Sequence, residues 1–410
     1  MNRYARKKEQ YVPKLEKIEL SQKNIKLRWV AAIAFFAVGA ASLAFALNSY
    51  LTPETGWEQI AINGDYGETC ADEFLLMYHL GSGEESPSTE KKAVTNIYTD
   101  SCEEAYKIFH SETEYDGVGN LAAINAGPNQ EVTVDPALYA VLEKLDNHGI
   151  RTHYLGPAYE IYNGIFGCTE DYQTADYDPL QNPGLKTTFS EIAGYAMAEE
   201  TIDLEFLGDH RVRLTVSDDY LRYANTLETN RFLDLSWMKN AFIADYLADA
   251  LIDGGYTHGV ITSYDGYTRN LETQEEIFYH QLYDVKPLAQ MEYRGPMSLV
   301  ELRAYPVNAM DRMRYYTLET GAVRVPYLDV ADGLPKAAAG SLVAYSEEVG
   351  CGDLLCQILP TYVGDSFDEE RLADLAKSGI YGVYPQNGTI CHTADAVTIT
   401  DESIETKHIK

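Results

Sequence analysis

The stretch from Arg231 to Tyr267, RFLDLSWMKNAFIADYLADALIDGGYTHGVITSYDGY, constrains this chain more than any other. Phe232 to Leu235 is a short apolar run and Ser236 suits a helix cap. Trp237 to Ile252 carries helical periodicity, with Ala241, Ala244, Ala248 and Leu251 on one face. Asp253-Gly254-Gly255 stops that helix, Thr257 to Ser263 is rich in strand formers, and Asp265-Gly266 marks a turn. A strand, helix, strand and tight turn in so short a span aim a helix N-terminus at a cleft, a place that favours anions.

The N-terminus sets the compartment. Residues 1–28 hold nine Lys and Arg against three Glu, and Trp29 to Leu47 then runs nineteen residues without a charge. As a helix that run is about 28 Å long, near the thickness of a hydrocarbon core. The basic flank belongs on the cytoplasmic side. Residues 1–28 therefore read as a cytoplasmic tail, 29–47 as the transmembrane helix of a single-pass cell-membrane protein, and the rest as extracytoplasmic. Ala44-Phe45-Ala46 also has the small-x-small form that a signal peptidase accepts. The length of the apolar run and of the basic flank favours a retained anchor, and either alternative exports the bulk of the chain.

Despite that basic start, the 410 residues carry a formal net charge of −31. So negative a surface repels phosphate backbones, which excludes nucleic acid as a partner. All six cysteines follow the apolar run, where an even count permits up to three disulfides with no connectivity legible. None of their spacings is a zinc-ligand pattern.

Residues 48–69 read as a stalk, Phe74 to Leu80 as a strand, Gly81 to Lys92 as a loop by composition, and Asp100 to Ser111 as a helix. Gly117-x-Gly119-x-x-Ala122 has no strand before it, so it is a loop rather than a dinucleotide fingerprint. Glu131 to Val134 is a strand, and Asp135-Pro136 opens a helix. Further strands are predicted at 211–216, 299–305, 323–328 and 341–345, and helices at 188–200, 351–359 and 368–377. A hairpin pairs 382–384 with 389–392 over Gln386-Asn387-Gly388. Asn387-Gly388-Thr389 also matches a glycosylation sequon, but the turn is its better role. Strands and helices mix without strict alternation, so the fold class is α+β, with one domain over 70–402 and a tail over 403–410.

Four landmarks recur in a telling order. Ile124-Asn125 precedes a Val-x-Val-x-x-x-Leu run; Leu233-Asp234-Leu235 is followed by a helix bearing Asp245; then come Asp329-x-x-x-Gly333-x-Pro335 and Gly352-Asp353-x-Leu355. Together they resemble the ApbE-type flavin transferases. Leu233-Asp234-Leu235 and its helix are similar to that family's Leu-Asp-Leu-Gly-Gly-Ile-Ala-Lys-Gly-Tyr-x-x-Asp, the Asp329 landmark to His-Ile-x-Asp-Pro-x-Thr-Gly-x-Pro, and the Gly352 landmark to Ala-Asp-Ala-Leu-Ser-Thr-Ala. The resemblance implies an extracytoplasmic α+β enzyme that splits FAD with Mg²⁺ and attaches FMN to a Thr or Ser of an acceptor protein. It implies catalytic roles for Asp234 and Asp265, and cofactor contacts from Ser236, Trp237, Asn240 and Asp329. Mg²⁺ would fall to Asp353 and Gln357, four residues apart on one helix face.

The departures from the family fall on working positions. Ser236 and Trp237 stand in place of its paired glycines, Asn240 and Ala241 in place of Lys-Gly, and Pro326 in place of its His. Gly156 and Ala158 replace the Asp and Thr of its Phe-Asp-x-Thr segment. An indole occupies space that glycine leaves open, and proline has no proton to donate. Two expectations follow. One is a divergent FAD:protein FMN transferase with a degraded site. The other is the fold without its chemistry, a binding or structural protein at the cell surface in which Trp237, Tyr264 and Tyr267 fill the old cleft.

Overall fold

Nine strands form one sheet whose spatial order follows the chain. They are β1 Gly56–Ile60, β2 Phe74–Leu80, β3 Gly259–Ser263, β4 Tyr267–Asn270, β5 Met297–Arg303, β6 Ser341–Ser346, β7 Tyr381–Gln386, β8 Thr389–His392 and β9 Thr406–His408. The computed structural model describes residues 54–273, 276–394, 398–400 and 403–410, with Gly39 alone before them. Glu54–Lys410 is one unit. Every pairing in the sheet is antiparallel except that of β8 with β9. The expected transmembrane helix at 29–47 lies, Gly39 apart, outside the described residues. Among those described, no helix is long and apolar enough to cross a membrane.

The helices that build one layer are α1 Pro87–Ile108, α2 Pro136–Asn147, α3 Lys239–Asp253 and α4 Cys351–Tyr362. Their apolar faces form one core with Val300, Leu302 and Ala344 of the central strands. On the opposite face lies a long hairpin, Ile277–Asp284 with Lys286–Arg294, whose Leu282, Ala289 and Met291 pack with Leu299, Val343 and Tyr345. Covered on both faces, β5 and β6 are buried at every residue. This is the α+β architecture that the mixed pattern predicts. The hairpin has no counterpart among the expected elements, because Tyr, His and Gln interrupt its alternation.

Several expectations differ from the structure in kind. Gly56–Ile60, inside the expected stalk, is an edge strand with Gly56 opposite Leu80 of β2. Only Ile60 of it is buried, so little apolar pattern marks it. Pro87–Lys92, read as loop, opens α1: Ser86 Oγ accepts from Thr89 N at 3.3 Å and Pro87 takes the first turn. A Ser/Pro/Thr composition that mimics a loop is here a helix start. Thr406–His408, read as tail, adds to the sheet as β9. The strand expected over 323–328 is only Val323–Arg324, since Pro326 lacks a ladder donor. The hairpin turn is as expected, with Asn387 at φ 53° and Gly388 at 81°. All six cysteines are free thiols.

Candidate functional site

A backbone lock starts the site. Asn125, buried at the end of the short helix Leu121–Ala126, donates Nδ2 to Leu233 O at 2.9 Å and accepts Leu233 N on Oδ1 at 2.8 Å. Asp234 N bonds His153 O at 2.9 Å, and Asp234 Oδ1 accepts Ser236 N at 2.7 Å. The chain then turns so sharply that Ser236 sits at φ 45°, a left-handed conformation that costs a residue with a Cβ about 1–2 kcal/mol. The sequence predicts a side-chain cap from Ser236. Instead it opens a 3-10 turn, Ser236–Met238, and α3 begins at Lys239 without a side-chain cap. Farther along α3, Asp245 accepts Cys351 N and Gly352 N, both at 2.8 Å, so its carboxylate caps the N-terminus of α4.

Over the Ser236 turn opens a cleft of about 420 Å³. A polar cluster lines it. Lys239 Nζ bonds Glu73 Oε1 at 3.0 Å, and Asn240 Nδ2 bridges Glu73 Oε2 at 2.7 Å and Asp265 Oδ2 at 2.9 Å. Arg314 Nε lies 3.9 Å from Asp265 Oδ2. Burial pushes the Asp265 carboxyl above its usual range against the pull of Arg314. Burial raises Asp234 too, opposed by the Ser236 N–H and Arg231. Burial also presses on Glu73, but the Lys239 charge and the Asn240 amide outweigh it, and its pKa ends lowered. Lys239 is raised in return, because Glu73 overcomes the effect of burial. The cluster therefore holds opposed charges locked to one another.

Trp237 walls the cleft. It is 8% exposed, its Nε1 donates to the Tyr159 hydroxyl at 3.0 Å, and its ring meets Tyr327 edge-on with centroids 4.7 Å apart. The Tyr267 hydroxyl bonds Trp237 O at 3.1 Å. Of the three aromatics expected to fill the cleft, Trp237 and Tyr267 are buried and Tyr264 is exposed. Gly156, in place of the family's Asp, is a position where no side chain fits: an added Cβ would stand 2.1 Å from Arg231 O.

Five of the expected site residues, Asp234, Ser236, Trp237, Asn240 and Asp265, meet in this cleft, joined by Pro326. Asp329, Asp353 and Gln357 do not line it. Asp329 Oδ2 bonds Lys336 Nζ at 2.9 Å, and the same ammonium holds Asp332 and Asp365. Asp353 Oδ2 lies 2.5 Å from Lys144 Nζ of α2, and Oδ1 is 3.3 Å from His148 Nε2. The backbone carbonyl of Gln357 accepts from Arg371. An ammonium thus sits on the carboxylate where the resemblance implies Mg²⁺, because the last turn of α2 packs beside α4. Among the described residues no three His, Cys, Asp or Glu side chains are grouped to hold a metal.

Sequence reasoning passes over Glu73, Lys239 and Arg314. Lys239 adjoins Asn240 in the organising stretch, so the positive charge expected to be lost with the family's Lys stays in the cleft one residue earlier. Glu73 and Arg314 arrive from distant segments with no local pattern to announce them.

No family profile matches the chain, and no curated relative does. Among solved structures it is similar to the ApbE protein of Thermotoga maritima, 12% identical with a TM-score of 0.54, over 85% of this chain and 97% of that one. It is similar also to the flavin transferase ApbE of Vibrio cholerae, 12% identical with a TM-score of 0.51, over 84% of this chain and 98% of that one. The protein has the fold of the ApbE flavin transferases. At this identity the likeness defines the architecture, and the chemistry has to be argued from the side chains.

Proposed function

We propose that this protein is a membrane-anchored, extracytoplasmic member of the ApbE flavin transferase family that has given up FAD cleavage and acts at the cell surface as a binding protein. Trp237 carries the reading. Its indole is packed between Tyr159 and Tyr327 at the position where the resemblance places a glycine beside the dinucleotide. Pro326 adds no donor, and Asp353, the expected metal ligand, is neutralised by Lys144. The residues present do not fit FAD with Mg²⁺. The uncharged run Trp29 to Leu47 and its basic flank support the anchor.

A second reading has its own support. Asp234, Asp265, Asn240, Lys239 and Arg314 converge in one cleft, as a Mg²⁺-dependent transferase modifying an acceptor protein would need. Titrating FAD into the full-length protein with and without Mg²⁺, followed by flavin fluorescence, decides between the two. No saturable binding at high micromolar FAD is the expected result. Mg²⁺-dependent binding that Asp265→Asn abolishes would restore the transferase and justify a search for the acceptor Thr or Ser.

A further inference from the structure

Three polar atoms at the cleft are buried and unused. Asn240 is 2% exposed, and its amide nitrogen is committed to Glu73 and Asp265. Ionised carboxylates only accept, which fixes the orientation of the amide. Its Oδ1 is left without a partner, and so are Asp265 Oδ1 and Arg314 Nη1. Native structures keep few such atoms unpaired.

Asp265 stands between Asn240 and Arg314. Its Oδ2 takes the Asn240 amide at 2.9 Å and lies 3.9 Å from Arg314 Nε. Asn240 Oδ1 and Asp265 Oδ1 offer free acceptors and Arg314 Nη1 a free donor, and the Asp265 carboxylate neighbours both of the other side chains. A ligand that satisfies both needs a donor and an acceptor close together, and the charges of Asp265 and Arg314 favour a cationic donor and an anionic acceptor. The cleft is lined by Glu73, Glu112, Asp234 and Asp265 against Lys239 and Arg314, and Arg231, paired with both Glu112 and Asp234, brings the charges close to balance. That offers a polyanion little net attraction and suits a zwitterion. Phe166, Met313 and Trp237 add an apolar wall.

Resting on the reading that the cleft does not take FAD, we propose that it binds a free α-amino acid with an apolar side chain, the ammonium on Asn240 Oδ1 and Asp265 and the carboxylate on Arg314. The competing occupant is water. A void of about 10 Å³ behind Trp237, bordered by Asp265 and Arg314, has room for one molecule.

The test is calorimetric titration of L-leucine into the full-length protein, beside N-acetyl-L-leucine and L-leucinamide, each of which lacks one of the two charges. FAD with Mg²⁺ is titrated in parallel. Leucine is expected to bind saturably, and to bind about tenfold or more tightly than either derivative, since a hydrogen bond to a charged group is worth about that factor. Arg314→Met should lose a similar factor and Arg314→Lys recover part of it, with melting curves to establish that both variants fold. Equal binding of leucine and its derivatives, or no saturable heat from leucine at millimolar concentration, overturns the proposal and leaves water as the occupant. Silence from both leucine and FAD removes only this inference, whereas Mg²⁺-dependent FAD binding removes the reading beneath it.

Discussion

Asn125 and Leu233 are joined through both polar atoms of the Asn125 amide, at 2.9 and 2.8 Å, across 108 residues of chain. The pair ties the first landmark of the sequence to the second, as the Asp245 cap on Gly352 N ties the second to the fourth. Replacing Asn125 with Ala leaves a buried N–H and a buried C=O of Leu233 without partners. The expected loss is about 2–4 kcal/mol, read as a lowered urea midpoint. Asn125→Asp keeps only the acceptor and buries a charge, so it should be at least as damaging. A loss under about 1 kcal/mol for Asn125→Ala would mean that the lock contributes no more than one ordinary hydrogen bond.

Ser236 sits at φ 45°. Ser236→Gly removes the Cβ penalty of that conformation but adds freedom to the unfolded chain. The balance is a gain of about 0.5–1 kcal/mol. A raised denaturation midpoint is the expected result, and a lowered one would show that the serine side chain contributes more than the backbone strain removes.

Lys144 occupies the carboxylate of Asp353, which the resemblance assigns to Mg²⁺, so the fold is expected not to depend on divalent metal. The melting temperature of the full-length protein should be the same in EDTA and in millimolar MgCl₂. Lys144→Met should cost only about 1 kcal/mol, because the pair is partly exposed and His148 remains. A Mg²⁺-dependent rise in the unmutated protein would show that the ammonium is displaced.

His153, whose carbonyl holds Asp234 N, is kept neutral by burial, with the Arg151 charge adding to the effect, so that its pKa is pushed down to about 3 from the usual 6.5. The unfolded chain takes up this proton below pH 6.5 and the folded protein does not. Stability is therefore full above that pH and falls as the pH falls, by up to about 1.4 kcal/mol per unit from this group. His280, lowered by burial as well, acts in the same direction. Urea midpoints should drop between pH 7 and pH 5, and His153→Phe should flatten the decline.

If residues 29–47 are a retained anchor, the protein stays with the membrane fraction through alkaline carbonate extraction. Removal of residues 1–47 then releases it to the supernatant. A wild-type chain found in the supernatant, shortened after Ala46, would establish the cleaved leader instead.

Legibility varied with the range of the forces involved. The helix of α3, the β3 strand and the Asn387-Gly388 turn follow from periodicity and turn chemistry carried by adjacent residues; the turn stands where the sequence puts it, and the helix and strand each begin two residues later than expected. The edge strand β1 and the Ile277–Arg294 hairpin do not, because each depends on a partner surface rather than on its own pattern. Asp234, Ser236, Trp237, Asn240 and Asp265 could be placed together because one short supersecondary unit carries them all. Asp353 could not be judged alone, since its charge was answered from another helix.

The sequence by itself determined the α+β class, the strand–helix–strand–turn unit at the centre, and the four landmarks whose order implies the family. Tertiary structure decided which charges meet. Glu73 reaches Asn240 across 167 residues of chain, and Arg314 arrives beside Asp265 from a separate loop. Lys144 takes the carboxylate expected for a metal. Propensity and periodicity act over a few residues, whereas the electrostatics of a cleft depend on which distant side chains the packing brings within a few ångströms.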